Sequence, residues 1–268
     1  MIIAFSIVIF LCAIYLLCLK GRTGHSNLHK LCGWSYAHRG LHNASRPENS
    51  MSAFQAALEA GYGIELEIHL MKDGNLAVIH DSSLQRVAGA DVKIEDLTVL
   101  DLQKYTLCDS QEHIPLFRQV LQLYRGKAPL IVELKTAGNN VTSLCKATME
   151  LLDGYEGLYC IESFDPRVTR WMRKNRPDII RGQLSENWFH SKAKLPWILK
   201  FLMTYHISNV FTRPDFIAYK YCDRMAFGTD ICRKLWKIQG VSWTLKTREE
   251  YDTAVREGWI PIFEGFMV

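Results

Sequence analysis

Seven side chains fall where charged chemistry would need them. Glu65 and Glu67 are two residues apart in a run of strand character, so they share one face. Glu133 and Lys135 repeat that spacing at the end of Leu130-Ile131-Val132. His38 and Arg39 follow Trp34-Ser35-Tyr36-Ala37, and His80 follows Leu76-Ala77-Val78-Ile79. Each group sits at the C-terminal end of an apolar run.

Three carboxylates at strand ends repel one another and raise each other's pKa unless a cation joins them. An all-oxygen set of this kind suits Ca²⁺ or Mg²⁺ better than zinc, so Glu65, Glu67 and Glu133 are expected to hold a divalent cation. His38 and His80 can give or take a proton near neutrality and are read as an acid and base pair. Arg39 and Lys135 would hold a phosphate and offset charge as it develops. A cation, two imidazoles and two basic side chains describe phosphodiester hydrolysis more naturally than acyl transfer. His69 shares the face of the paired glutamates and is intermediate. His25, His29, His42, His113, His190 and His206 have no supporting context and read as structural.

The elements that must position these groups alternate. Strands are expected at Trp34–Ala37, Tyr62–Leu70, Asn75–Ile79, Leu130–Leu134, Leu158–Ser163, Ile179–Leu184, Ile207–Val210, Val241–Leu245 and Pro261–Phe263. Helices are expected at Ser50–Ala60, Leu116–Tyr124, Val141–Leu152, after Asp165-Pro166, and at Arg248–Glu257. Repeated β-then-α over this length points to a (β/α)8 TIM barrel, whose chemistry projects from the C-terminal strand ends. A doubly wound open sheet is the rival, weakened because no G-x-G-x-x-G or P-loop follows the first strand. Asp81 to Pro115 breaks the alternation and reads as an insertion after the second strand region, with short helices around Ile94 to Tyr105.

Composition sets the frame. The chain has 268 residues, is 48% hydrophobic and 22% charged, and carries a net charge of +4. That balance excludes a disordered tail, a fibre and a small disulfide scaffold. Residues 1–19 hold no charged side chain, and Lys20 and Arg22 end the run. The run is close to the ~20 residues that cross a bilayer, and it lacks the basic start and small-residue cut of a cleaved signal. One N-terminal transmembrane helix is therefore expected over 1–19, a juxtamembrane linker over 20–33 and the barrel over 34–268. Lys20, Arg22, Lys30, Arg39 and Arg46 precede the first acid, Glu48, which places the catalytic domain on the cytoplasmic side of the cell membrane as a single-pass protein. Eight scattered cysteines with no C-x-x-C pair suggest neither zinc nor disulfides. The basic residues after the anchor could touch membrane lipid headgroups. No basic patch with interleaved aromatics argues for nucleic acid, and no protein partner can be inferred.

The motifs in order resemble the glycerophosphodiester phosphodiesterase family. They run through Ala37-His38-Arg39-Gly40, Pro47-Glu48-Asn49-Ser50 and Ile64-Glu65-Leu66-Glu67-Ile68-His69-Leu70-Met71-Lys72-Asp73-Gly74. Val78-Ile79-His80-Asp81, Ile114-Pro115-Leu116, Val132-Glu133-Leu134-Lys135, Ser163-Phe164-Asp165 and Trp243-Thr244 follow. The likeness covers roughly residues 34 to 264. It implies a TIM barrel with an insertion, catalytic histidines at His38 and His80, metal carboxylates at Glu65, Glu67 and Glu133, and phosphate contacts from Arg39 and Lys135. It also matches Trp243 to an aromatic residue near the substrate pocket, with a barrel-wall role as the alternative.

Three positions depart from the family pattern. Glu67 stands where aspartate is usual, Lys246 where asparagine is common after the Trp-Thr pair, and Glu264 near a common aspartate. The resemblance implies hydrolysis of a glycerophosphodiester to glycerol 3-phosphate and an alcohol, dependent on Ca²⁺ or Mg²⁺. A lysophospholipid cleaved in lysophospholipase D fashion is the alternative substrate. A catalytically silent barrel that binds a phosphate ligand is the alternative from another class.

Overall fold

The apolar runs become strands because turn residues bound them and both their faces are covered, as parallel sheets require. The computed structural model describes residues 1–268. In chain order the first elements are α1 (Ile2–Cys18), β1 (Tyr36–His38), α2 (Met51–Glu59), β2 (Gly63–Leu70) and β3 (Leu76–Val78). Two short helices, α3 (Gln85–Ala88) and α4 (Val99–Leu102), precede α5 (Phe117–Tyr124). Regular alternation follows with β4 (Leu130–Leu134), α6 (Val141–Leu152), β5 (Tyr159–Ser163), α7 (Pro166–Asn175) and β6 (Arg181–Ser185). The last part holds α8 (Trp197–Thr204), α9 (Asn209–Thr212), β7 (Phe216–Lys220), α10 (Phe227–Asp230), β8 (Gln239–Leu245), α11 (Arg248–Arg256) and β9 (Trp259–Phe263).

The parallel strands run β1-β9-β8-β7-β6-β5-β4-β2, and β2 pairs back to β1, so the barrel is closed by eight strands. The TIM-barrel expectation is met. The ninth strand, β3, is antiparallel to the far end of β2 and opens the insertion. That insertion has its own apolar core, from Met71 and Ile79 through Leu84 and Ile94 to Leu116. It therefore packs as a unit of its own beside His80.

Capping follows local chemistry. Ser50 Oγ accepts from Ala53 N at the start of α2. Asp165 accepts from Arg167 N, with Pro166 at the first turn of α7. One strand was misplaced by the sequence pattern. Residues 207–210 do not form a strand, because Ser208 and Asn209 carbonyls accept from Thr212 and Arg213 N and wind this stretch into α9. The strand of this region is β7, where Phe216, Ile217, Ala218 and Tyr219 are all fully buried.

The expected membrane span is also corrected. No helix is long and apolar enough to cross a membrane. The 17 residues of α1 give about 25 Å at ~1.5 Å per residue, short of the ~30 Å hydrocarbon core. The helix stops at Cys18 because the barrel captures the chain there. Leu19 is fully buried in a small cluster with Ile217, Cys232 and Ile238. The Trp236 indole donates to Leu16 O, and Arg213 donates to Leu17 O and Lys20 O. Arg22, expected to flank a bilayer, instead donates from Nε and Nη2 to both oxygens of buried Asp215 at 2.5 and 2.6 Å.

Candidate active site

Strand register collects the acidic groups. Glu67 pairs with Glu133 across β2 and β4, and Glu133 with Glu162 across β4 and β5, so three carboxylates stand side by side. Glu65 pairs with His38 across β2 and β1. His38, Arg39, Glu65, Glu67, His80, Glu133, Lys135, Glu162 and Trp243 line one cavity of about 40 Å³ at the C-terminal end of the barrel. That is space for about three water-sized molecules, and His38, Arg39 and Trp243 also line a wider adjoining opening.

Arg39 reaches this cavity because its backbone turns sharply. Its φ is +56°, and its N donates to Glu65 O. Gly40 follows at φ +80°, where a Cβ would lie 2.9 Å from the backbone of Ala53, so only glycine fits. The Arg39 guanidinium then donates from Nε to Glu67 Oε1 and from Nη1 to Glu48 Oε1, both at 2.9 Å. Asn49 Nδ2 donates to the other Glu67 oxygen at 2.7 Å. Burial works against ionising Glu67, but Arg39 and Lys135 outweigh it and hold the carboxyl far below the usual range.

Glu65 is the opposite case. It is buried, its Oε2 has no hydrogen-bond partner, and burial followed by Glu67, Glu133 and Glu162 raises its pKa well above a carboxylate's usual value. Burial and then Glu133 do the same to Glu162. Glu133 Oε2 lies 2.8 Å from Lys135 Nζ, an ion pair within the row. Burial works against the ammonium, yet Glu133 and Glu67 keep Lys135 charged. Ligand atoms of Glu65, Glu67 and His38 lie within 4.8 Å of one another. An unpartnered buried carboxylate oxygen beside further hard oxygen donors fits a divalent cation.

Both histidines have Nδ1 held by a carboxylate. His38 Nδ1 lies 2.6 Å from Glu264 Oε2, and its Nε2 is 3.8 Å from Glu65 Oε2. His80 Nδ1 lies 2.6 Å from Asp81 Oδ1, and Asp81 is in turn gripped by Arg86. Burial, then the nearby Lys135, pushes His80 down to about 4, so it is neutral at pH 7. His38 donating to Glu264 holds that carboxyl at about 2. His69 does not enter the cavity lining. Its Nδ1 is 2.7 Å from Glu95 Oε1 and its Nε2 is 3.1 Å from His80 O, so it ties the His80 backbone to the insertion.

Trp243 lines the cavity and meets Phe164 edge-on, with ring centroids 5.5 Å apart. Lys246 Nζ is 3.9 Å from Glu264 Oε1, so the two departures near the C-terminus lie together. Sequence reasoning did not single out Glu162, Asn49, Asp81 or Glu95 for the site. Glu162 carried a usable signal, since it ends an expected strand as Glu133 does. The others depend on loops whose closure no spacing reveals.

Comparison with known proteins places the chain. Residues 38–212 match the Glycerophosphoryl diester phosphodiesterase family. A glycerophosphodiester phosphodiesterase of Caldanaerobacter subterraneus subsp. tengcongensis is 27% identical over 234 residues, covering 83% of this chain and 89% of that protein. A second, from Bacillus altitudinis, is 36% identical over 107 residues, 37% of this chain and only 43% of that protein. The fold is shared with an Oleispira antarctica phosphodiesterase solved with sn-glycerol-3-phosphate, at a TM-score of 0.72 and 18% identity over 88% of this chain and 94% of that one. The alternating strands, the acidic barrel mouth and the matched sequence agree: this chain belongs to the glycerophosphoryl diester phosphodiesterase family, whose members are phosphoric diester hydrolases.

Proposed function

We propose that this protein hydrolyses glycerophosphodiesters to glycerol 3-phosphate and an alcohol in a reaction that depends on a divalent cation. One observation carries the reading. Four buried carboxylates, two cationic side chains and two carboxylate-anchored histidines share a single small cavity. The names of the Caldanaerobacter and Bacillus relatives agree with it.

Glu65 and Glu67, with Glu133 beside them, would hold Ca²⁺ or Mg²⁺. When bound, the cation supplies Lewis acidity toward phosphoryl oxygens. Arg39 and Lys135 bind and orient the phosphate and offset its charge. His38 and His80 exchange protons through Nε2, since Nδ1 of each faces a carboxylate. One takes the proton of the attacking oxygen, and the other gives a proton to the departing alkoxide. Trp243 and Phe164 wall off the apolar side of the cavity.

The test is glycerol 3-phosphate release from glycerophosphocholine by metal-stripped protein, with Ca²⁺ or Mg²⁺ added back. Activity is expected only on adding metal. His38→Ala and His80→Ala should each lower kcat by ~10²-fold or more. Near-normal turnover by either folded variant would overturn the role of that histidine.

A further inference from the structure

Strand register builds a charged opening beside the central cavity. Lys220 ends β7 and pairs with Trp243 of β8, and Lys246 follows the last residue of β8. With Tyr221, Glu250 and Glu264 they line a space of about 390 Å³ that shares His38, Arg39 and Trp243 with the central cavity. Small-molecule sites run from about 300 to 1,000 Å³, so a whole substituent can be seated here. A phosphodiester carries two substituents. Glycerol brings hydroxyls and no charge, whereas the alcohol on the other side can carry charge of either sign. With the phosphate between Arg39 and Lys135, one substituent passes Arg39 and Trp243 into this opening.

The charges of the opening are unequally engaged. Glu264 Oε2 is held by His38 Nδ1 at 2.6 Å, and Glu250 Oε2 accepts from Lys246 N at 2.7 Å. Lys220 Nζ donates to Glu186 Oε2 at 3.0 Å. Lys246 Nζ differs from all of these. It comes no nearer to a carboxylate than 3.9 Å, at Glu264 Oε1, and its side chain is 67% exposed. An ammonium has three donors, and this one turns them to solvent. The Tyr221 ring, which could receive a choline-type cation, is already stacked by Arg224, whose Cζ lies 4.0 Å from its centroid. The group left to meet a substituent is thus a cation, and one ammonium balances one negative charge.

We infer that this opening is the subsite for the alcohol substituent, and that Lys246 selects an alcohol bearing a carboxylate. The inference rests on the phosphodiesterase reading above and narrows its substrate class to glycerophosphodiesters of hydroxy acids, for which glycerophosphoserine is a simple probe. The carboxylate meets Lys246 Nζ, and the glycerol arm lies on the Lys135 and Phe164 side of the phosphate. The reaction itself is unchanged. The water oxygen bonds to phosphorus, the bond from phosphorus to the alcohol oxygen breaks, and one water proton ends on that oxygen. Lys246 touches no reacting atom and acts on specificity.

The test compares glycerophosphoserine with glycerophosphoethanolamine, which differ only by that carboxylate, as substrates of the full chain with Ca²⁺ or Mg²⁺ at low ionic strength. Glycerophosphoserine should be preferred in kcat/KM by about 5-fold or more, the scale of an ion pair partly shielded by the ligand. High salt should shrink that preference. Lys246→Gln should bring the two substrates within about two-fold of each other by raising KM for glycerophosphoserine, and should leave glycerophosphoethanolamine within about two-fold of wild type. Lys246→Glu should reverse the preference. The side chain is mostly exposed, so both variants should fold, which thermal melts would verify. No preference in wild type, a preference that survives Lys246→Gln, or an equal loss on both substrates in that variant would overturn the carboxylate subsite and leave the phosphodiesterase reading intact. No turnover of either substrate with any divalent cation would overturn both.

Discussion

His38 Nδ1 and Glu264 Oε2 lie 2.6 Å apart across the seam where β1 meets β9, joining residues 226 positions apart in the chain. The register Ala37↔Phe263 sets this up, because the next residue on each strand then falls at the barrel mouth. A carboxylate on Nδ1 fixes the ring's orientation and leaves Nε2 for proton transfer. Glu264→Gln keeps the length of the side chain and removes the charge. We expect kcat to fall about 10-fold or more, the scale for such supporting partners, with KM within about two-fold. Steady-state rates on glycerophosphocholine would measure both, and an unchanged kcat would remove Glu264 from the proton path.

Glu65 makes the cation requirement testable without turnover. Burial and the neighbouring carboxylates hold its pKa well above the usual range, which favours the protonated acid in metal-free protein. A cation must displace that proton, which couples binding to proton release. Titration calorimetry of Mg²⁺ or Ca²⁺ in buffers of different ionisation enthalpy should report this release near neutral pH. Glu65→Gln should lose at least about 10-fold in metal affinity and abolish most of the released proton. Its metal-free melting temperature should not fall, since an amide relieves the burial cost and like-charge repulsion that work against a carboxylate there. Equal proton release by wild type and variant would assign the event to another group.

What the sequence makes legible and what it hides divide along one physical line. Groups whose position follows from a strand's own period were legible. Glu65 and Glu67 at i and i+2, and Glu133 and Lys135 likewise, do share one cavity. Groups whose position follows from pairing between distant segments were not. Glu162 joins the acidic row only through the β4–β5 register. The Glu95 carboxylate reaches His69 only because the insertion folds back on its own apolar core. The β7 strand was missed for a related reason. Ile207 to Val210 and Phe216 to Tyr219 are both short apolar runs, and periodicity cannot rank them. Left-handed residues at His206 and Arg213 bracket the first and close it into a turn of helix.

His206 read as structural, and the structure gives that role a pH signature. It is fully buried, its Nε2 meets Thr229 Oγ1 at 2.9 Å, and Nδ1 has no partner. Burial lowers its pKa from the ordinary 6.5 to about 4. Between those values the unfolded chain binds a proton that the folded chain refuses. Stability is therefore full above about 6.5, declines as pH falls, and is lost by about pH 4 to the extent of about 3 kcal/mol. His206→Asn removes the titration and suits the φ of +56°. Urea unfolding from pH 7 to pH 5 should show a shallower decline for the variant than for wild type. Parallel declines would place the acid sensitivity elsewhere.

Arg22 offers the complementary case, a residue whose flanking role in the sequence reading gave way to a structural one. Its guanidinium donates to both oxygens of Asp215, to Ile179 O at 3.0 Å and to Pro177 O. Asp215 also accepts from Arg181 N at 2.9 Å, at the start of β6 and far from the catalytic end of the barrel. The Asp215 side chain is fully buried and that of Arg22 is 25% exposed. Removing the arginine strands a buried charge, which costs about 3–5 kcal/mol when both partners are buried and somewhat less with one partly in water. Arg22→Met should therefore lower stability by about 2–3 kcal/mol, read from the urea midpoint. Adding Asp215→Asn should restore part of that loss, because the amide needs no counter-charge. Because this pair lies at the opposite end of the strands from His38 and His80, kcat at 25 °C should be unchanged in both variants. A stability loss without recovery in the double variant would assign the strap's worth to the carbonyl contacts at Pro177 and Ile179 instead of the ion pair.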